Sequence, residues 1–360
     1  MIAAATLFVL LLVLAGCGED AGVDSTANGD CENNVLPGNH IVRSREDADA
    51  LDKEGRCNYT IAGDLEITRL NLALFEGLSQ LSAVDGNLTI HDNDELKNFE
   101  GLNELVSVGG NVAIHDNDEL VDLKGLSFLH TVGGHFSVFH NDKLTAVDGL
   151  IKLNAVAGNA SIDNNNQLAN VDGLFGLAAV GGSFIIAFNP SLELIEELSN
   201  LSSVGGDLVI EDNLALATIE DVSSLKEIGG SLRIGRNAAL DIVEDVSSLT
   251  RVGQDLSIYS NPRLTSIIGL ANLSRVGGNL NIYNNEKLIT LAGLESLAQV
   301  AQDCNIYENE KLTSLAGLAN LVGIGGNVLI VENGNLPTSE AQALADRAAA
   351  GEVSIADSGD

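Results

Sequence analysis

The sequence predicts a β-dominated solenoid of about twelve 24-residue turns, with parallel sheets, short helical turns and a cap helix at each end. Three observations carry that reading. Glycines preceding an x-Leu-x-Ile pattern recur at Gly63, Gly86, Gly110, Gly134, Gly158, Gly182, Gly206, Gly230, Gly278 and Gly326, with Gln254 and Gln302 in the gaps. Their spacing is 23 once and 24 thereafter. Counting that residue as slot 0, slot 7 is Asn and slot 10 is Leu in eleven successive turns.

Each slot then has its own reason. Slots 2 and 4 are apolar throughout, as in Leu88 and Ile90 or Leu280 and Ile282, so slots 1 to 5 alternate like a strand with one buried face. The asparagines of slot 7 are Asn93, Asn117, Asn141, Asn165, Asn189, Asn213, Asn237, Asn261, Asn285, Asn309 and Asn333. A buried corner leaves backbone groups without partners, and an amide side chain both donates and accepts, so these residues are expected to stack as a structural ladder. Slots 13, 16, 19 and 22 are again apolar, as in Val147, Leu150, Leu153 and Val156. A single turn with so many inward columns leaves both flat sides bare, and stacking covers them. Glycine at slot 15 is expected to supply a positive φ ahead of a helical turn at slots 16 to 19.

The ends read differently. Residues 1–16 form a signal peptide: the apolar run from Ile2 to Ala15 spans about 21 Å as a helix against a hydrocarbon core of about 30 Å, too short for a membrane span. Residues 17–30 are small, polar and acidic, the composition of a flexible tether. An N-terminal cap follows over 31–62, where Ser44 opens a helix that ends at Gly55. Cys31 and Cys57 flank this cap, and in an exported chain they are expected to form a disulfide. The repeats run over 63–336. A C-terminal cap over 337–360 holds a helix with Thr338 or Ser339 as N-cap, a stop at Gly351 and a last strand in "EVSI".

Two resemblances extend this. Leu14-Ala15-Gly16-Cys17 resembles the lipobox of bacterial lipoproteins. The resemblance implies that the signal is cut before Cys17 and that Cys17 is diacylated. Gly18, where the lipoprotein pattern would place Asp for inner-membrane retention, implies the outer membrane. The turn "VGGNLTIxxNxxLxxLxGLxxLxxVGG" resembles the receptor L-domain, a leucine-rich-repeat-like module, and is similar to repeats of fungal GPI-linked cell-wall proteins. The likeness covers nearly all of 57–336, but its Asn93-x-x-Leu96 spacing departs from the Asn-x-Leu of ordinary leucine-rich repeats. It implies a right-handed solenoid used for binding or wall organisation, with no cofactor and no catalytic residues.

Charge narrows the partners. With 51 acidic against 18 basic residues, net −33, the chain repels phosphate backbones, which excludes nucleic acid. Lipid acylation is then its only membrane attachment. Function is expected on the outward slots 1, 3 and 5. Down slot 5 the residues are His91, His115, Phe139, Asp163, Ala187, Glu211, Gly235, Tyr259, Tyr283, Tyr307 and Val331, about 4.8 Å apart. Tyr259, Tyr283 and Tyr307 should stack, and such a strip suits a sugar ring or an extended peptide. His91 and His115 also fall side by side, but Phe139 comes next where a third metal ligand would be needed, so no metal is assigned. The turns carrying Asp92, Asp94, Glu95, Asp116, Asp118 and Glu119 offer carboxylates to Ca2+, yet none matches a calcium-loop spacing, and a solvated acidic edge is expected.

One arrangement raises the question of an enzyme. Asp163 and Glu211 lie two turns apart, about 9.6 Å by strand spacing, near the upper end of the carboxyl separation in inverting glycosidases. No other catalytic motif accompanies them. Cys304 replaces an apolar residue at slot 2 and is expected to be a buried free thiol. The functional expectation is an envelope-anchored, non-enzymatic module that recognises a glycan or an envelope protein. The alternatives are a structural adhesin or spacer without a discrete ligand and, after it, a polysaccharide-acting hydrolase.

Overall fold

A computed structural model describes residues 34–55, 57–349 and 351–356. The residues expected to form the signal peptide and the tether, Cys17 and Cys31 among them, lie outside the described residues. Cys57 is disulfide-bonded, and Cys304 is a free, buried thiol.

The fold is a parallel β-solenoid, as the repeat predicts. Four-residue strands such as Leu88–His91, Val112–His115 and Leu280–Tyr283 form one sheet of 14 strands. Each pairs in parallel with its equivalent one turn away, so Ile90 lies beside Ile114 and Leu280 beside Cys304. The register shifts once, between Tyr59 and Thr60, where the repeat spacing is 23 and not 24. A second sheet of 13 strands, most of them only two residues long, as in Ser107–Val108 and Arg275–Val276, runs through slots 21 and 22. Only the inward residue of each pair had a sequence signal, which is why this sheet reads from sequence as a column and not as strands.

The inward slots make one continuous core in which Leu96, Val147, Leu150, Leu280 and their equivalents are fully buried. Each such aliphatic side chain contributes about 1.5–3 kcal/mol by leaving water. Cys304 shares this core, and burial pushes its thiol up to about 12.

The slot 15 glycines serve a different purpose from the one expected. Among those at Gly101, Gly125, Gly149, Gly173, Gly269, Gly293 and Gly317, only Gly293 has positive φ. At Gly149 an added Cβ would lie 1.6 Å from the Leu123 carbonyl oxygen, and at Gly317 1.9 Å from that of Leu291. Backbones of successive turns touch here, and glycine is required for room. The accompanying 3-10 helices, such as Glu100–Leu102 and Ala316–Leu318, cover slots 14 to 16, earlier and shorter than expected. Three turns depart from this: Glu197, Asp221 and Asp245 occupy slot 15 at positive φ, and there the chain forms the small sheet Leu194–Ile195, Thr218–Ile219 and Ile242–Val243. Left-handed backbone instead recurs at slot 6, where Asp92, Asp116, His140, Asn164, Phe188, Asp212 and Arg236 all have φ between 52 and 57°. It turns the chain at the end of each long strand, ahead of the buried Asn.

Both ends carry helices. In α1 (Arg45–Gly55) the Ser44 hydroxyl accepts from Asp47 N at 3.2 Å, the expected cap, while Ala48 and Leu51 are buried. Helix α2 (Thr338–Ala348) buries Ala341, Leu344, Ala345 and Ala348 on the last turn. Its N-cap is Pro337, not Thr338 or Ser339, and Glu340 reaches back to accept from Leu315 N at 2.6 Å and the Ser314 hydroxyl at 3.0 Å. The strand Val353–Ala356 then joins the 14-stranded sheet beside Val328–Val331.

Candidate functional site

Two polar ladders frame the outward face of the long sheet. Every slot 7 asparagine is fully buried. In Asn189, Oδ1 accepts from Asn165 N at 3.0 Å, and Nδ2 donates to the carbonyls of Ile162 at 2.9 Å and Ala187 at 3.0 Å. The same bonds repeat from Asn165 to Asn333, so both ends of these amides serve buried backbone groups, while Oδ1 of Asn117 and Asn141 accepts from the Nδ2 of the preceding asparagine. The other ladder stands at slot 1 and runs in the opposite sense. Each side-chain acceptor there receives the backbone N–H of the next turn: Asn87 Oδ1 from Asn111 at 2.8 Å, Asp207 Oδ1 from Ser231 at 2.7 Å, Asp303 Oδ1 from Asn327 at 2.7 Å. His135 takes the same part through Nδ1, 2.9 Å from Asn159 N, which requires that nitrogen to be unprotonated. A sequence signal existed, since slot 1 is Asp, Asn, Ser or His from Asp64 to Asn327, all short side chains with an acceptor. Variation in identity concealed it.

Between the ladders, slot 5 carries two aromatic stacks. Tyr259 and Tyr283 have centroids 5.1 Å apart, and Tyr283 and Tyr307 4.7 Å, with planes 16° and 6° from parallel. His91, His115 and Phe139 stack likewise at 5.2 and 4.6 Å. Such stacking turns the tyrosine faces toward one another. The outer side of Tyr259 lies over Gly235, where a Cβ would come within 2.4 Å of Cζ, and the Arg236 guanidinium stands 5.3 Å from its centroid. Val331 follows Tyr307 in register. The rings therefore offer edges and hydroxyls to whatever meets this face.

Tyr259 heads a network that sequence reasoning missed. Its hydroxyl donates to Glu211 Oε1 at 2.6 Å and accepts from an Arg236 terminal nitrogen at 2.7 Å. Arg236 also donates to Glu211 Oε2 at 2.7 Å and forks onto Asp212 at 2.7–2.9 Å. Burial, then the Glu211 carboxylate, pushes the Tyr259 phenol up to about 12. Glu211 is thus engaged at both oxygens, and its side chain is only 12% exposed. Asp163 is two strands away, with Ala187 between, and accepts from Asn164. The two carboxylates named as a catalytic candidate are held by different neighbours. The missing sequence signal was Gly235: a residue without a side chain lets Tyr259 reach across a whole strand.

Beside the tyrosines lies a groove of about 360 Å3, lined by Arg233, Asp255, Ser257, Tyr259, Asn281, Tyr283 and Tyr307. Its floor is a third row of hydrogen bonds, Asn305 Nδ2 to Asn281 Oδ1 at 2.9 Å and Asn281 Nδ2 to Ser257 Oγ at 3.1 Å. Among the described residues, the Tyr283 and Tyr307 hydroxyls and the Arg233 guanidinium have no side-chain partner, so these groups remain available to a ligand.

The histidine end is occupied by its own carboxylates. His91 lies 3.1 Å from Asp92 through Nδ1 and 3.2 Å from Glu66 through Nε2, and His115 Nδ1 lies 2.8 Å from Asp116. Asp118 is pushed above the usual carboxylate range, first by burial and then by Asp142, Asp94 and Asp116. Among the described residues, no group of three or more His, Cys, Asp and Glu side chains is arranged to hold a metal ion. No described helix is long and apolar enough to cross a membrane.

Fold and face together define a class: a leucine-rich-repeat-like parallel solenoid with one ordered, side-chain-rich sheet face. Compared with known proteins, the chain matches no family model and no curated protein.

Proposed function

We propose that this is an exported, lipid-anchored receptor-L-domain-like module that recognises a glycan or another envelope protein without chemically changing it. The observation that carries the reading is the Tyr259–Tyr283–Tyr307 stack, locked at one end by Glu211 and Arg236 beside a polar groove. A rigid array of this kind meets a partner at little cost in side-chain entropy. Neither the engaged Glu211 nor the distant Asp163 supports catalysis, and a spacer would not need a groove with unpaired polar groups. The lipobox resemblance supports attachment through Cys17, Gly18 in place of Asp favours the outer membrane, and the acidity of the chain suits a solvated envelope protein.

The test is capture of native envelope components by the full chain in detergent, compared with a variant carrying Tyr259→Ala, Tyr283→Ala and Tyr307→Ala and checked for folding by circular dichroism. Loss of capture is expected, and unchanged capture by a folded variant sinks the reading. Palmitate labelling of wild type against Cys17→Ala tests the anchor, which is removed if both label equally.

A further inference from the structure

Resting on the recognition reading above, we infer that the ligand is an uncharged polysaccharide chain, lying along the stack axis in the tyrosine-side groove and read through its hydroxyls. Two features of the groove point there. Its lining presents the unpartnered phenol hydroxyls of Tyr283 and Tyr307 beside the Ser257 hydroxyl and the Asn281 carboxamide, which bond to each other along their row, and all of these groups both donate and accept, as sugar hydroxyls do. They stand in straight rows, Ser257–Asn281–Asn305 at slot 3 and Tyr283–Tyr307 at slot 5, repeating once per strand at about 4.8 Å, so a polymer meets equivalent partners as it passes from turn to turn. An isolated small molecule would use one rung only.

Charge and ring geometry exclude the competing ligands. The groove itself pairs one acid, Asp255, with one base, Arg233, and the neighbouring edge forms a second, acidic groove from Asn284, Glu286, Glu308, Glu310 and Glu332. In a chain of net charge −33, polyanionic glycans are repelled at this face. A peptide bound by strand addition needs a free sheet edge, whereas this groove lies on a sheet face whose backbone bonds are already paired turn to turn. Because the tyrosine faces are covered, recognition rests on polar edges rather than on stacking under a sugar.

Titration calorimetry on the full chain in detergent tests this, using neutral gluco-, manno- and N-acetylchito-oligosaccharides of two to six units, with polygalacturonate as the charged control. Binding that strengthens at least tenfold from the shortest to the longest neutral oligomer is expected, with none to polygalacturonate. The double variant Tyr283→Phe and Tyr307→Phe keeps the stack while removing both free hydroxyls, and should weaken binding at least tenfold. A second variant, Ser257→Ala with Asn305→Ala, provides the same check on the other row. The proposal is overturned if no neutral oligomer binds, if affinity is independent of length, or if both variants bind like wild type. Failure on the oligosaccharides together with tyrosine-dependent capture of an envelope protein overturns the glycan assignment alone and leaves the recognition reading standing.

Discussion

The hydroxyl of Tyr259 donates to Glu211 across 2.6 Å, although the two residues are 48 positions apart and a whole strand lies between them. Gly235 makes that reach possible. Tyr259→Phe should therefore cost about 1–2 kcal/mol, because a poorly solvated carboxylate loses a donor while Arg236 remains. Urea denaturation measures it, with Tyr307→Phe, whose hydroxyl has no described partner, as the control expected to change stability little.

The same bond gives an alkaline signature. An unperturbed phenol ionises near 10, and Tyr259 in the fold near 12. The unfolded chain loses this proton first, so the stability owed to neutral Tyr259 is whole below about pH 10 and is lost as pH rises toward about 12. Phenolate absorbance of wild type, minus that of Tyr259→Phe, should show one tyrosine ionising late. A difference curve centred at the ordinary value would refute the network.

Gly235→Ala should act through Tyr259, because the new methyl would sit 2.4 Å from Cζ and 2.6 Å from Cε1 of that ring. Displacing a packed ring costs about 1–3 kcal/mol. In the double-mutant cycle with Tyr259→Ala, the glycine substitution should become nearly silent.

Asn189→Asp isolates the donating half of the buried ladder. The acceptor for Asn165 N survives, while the bonds to the Ile162 and Ala187 carbonyls are lost and a charge enters a fully buried site. A loss of about 3–5 kcal/mol is expected, and limited proteolysis should open the chain near this turn before the caps.

Cys304 should resist alkylation at neutral pH, since burial both shields the thiol and pushes its ionisation up to about 12. Peptide mapping after iodoacetamide treatment should find it labelled only in denaturant. Labelling at the rate of a free thiol in the folded chain would place it outside the core.

How much of this was legible in the sequence depends on whether a slot was held by one residue type or by one physical property. Slots 7 and 10 each repeat one side chain, slot 4 is Ile in all turns but that of Val138 and slot 2 is always apolar or Cys, and the long sheet, its register and the stacking of Tyr259, Tyr283 and Tyr307 follow directly. Slot 1 repeats only a property, a short acceptor, so Asn87, His135 and Ser183 do not look alike until their common bond is seen. Slot 6 hides its left-handed backbone behind Asp92, Phe188 and Arg236, residues with no shared tendency toward it. Glycine at slot 15 was legible as a requirement, but sequence alone does not distinguish a need for positive φ from a need for space. The Tyr259–Glu211 bond depends on what Gly235 lacks, and an absent side chain leaves no pattern.

The opposed polar ladders have a consequence for growth of the molecule by duplication. Along the regular turns the acceptor rungs join a side chain at one slot to the backbone N–H 24 residues away, and neighbouring turns offer interchangeable acceptors. Excising or copying one whole turn rejoins donors to acceptors of the same kind, and the 23-residue turn after Gly63 keeps both ladders because its missing residue falls outside the two slots. The domain can thus change its reach in increments of one strand, about 4.8 Å, like a ruler cut only at its marks, and the three adjacent tyrosines set the measure of what it spans.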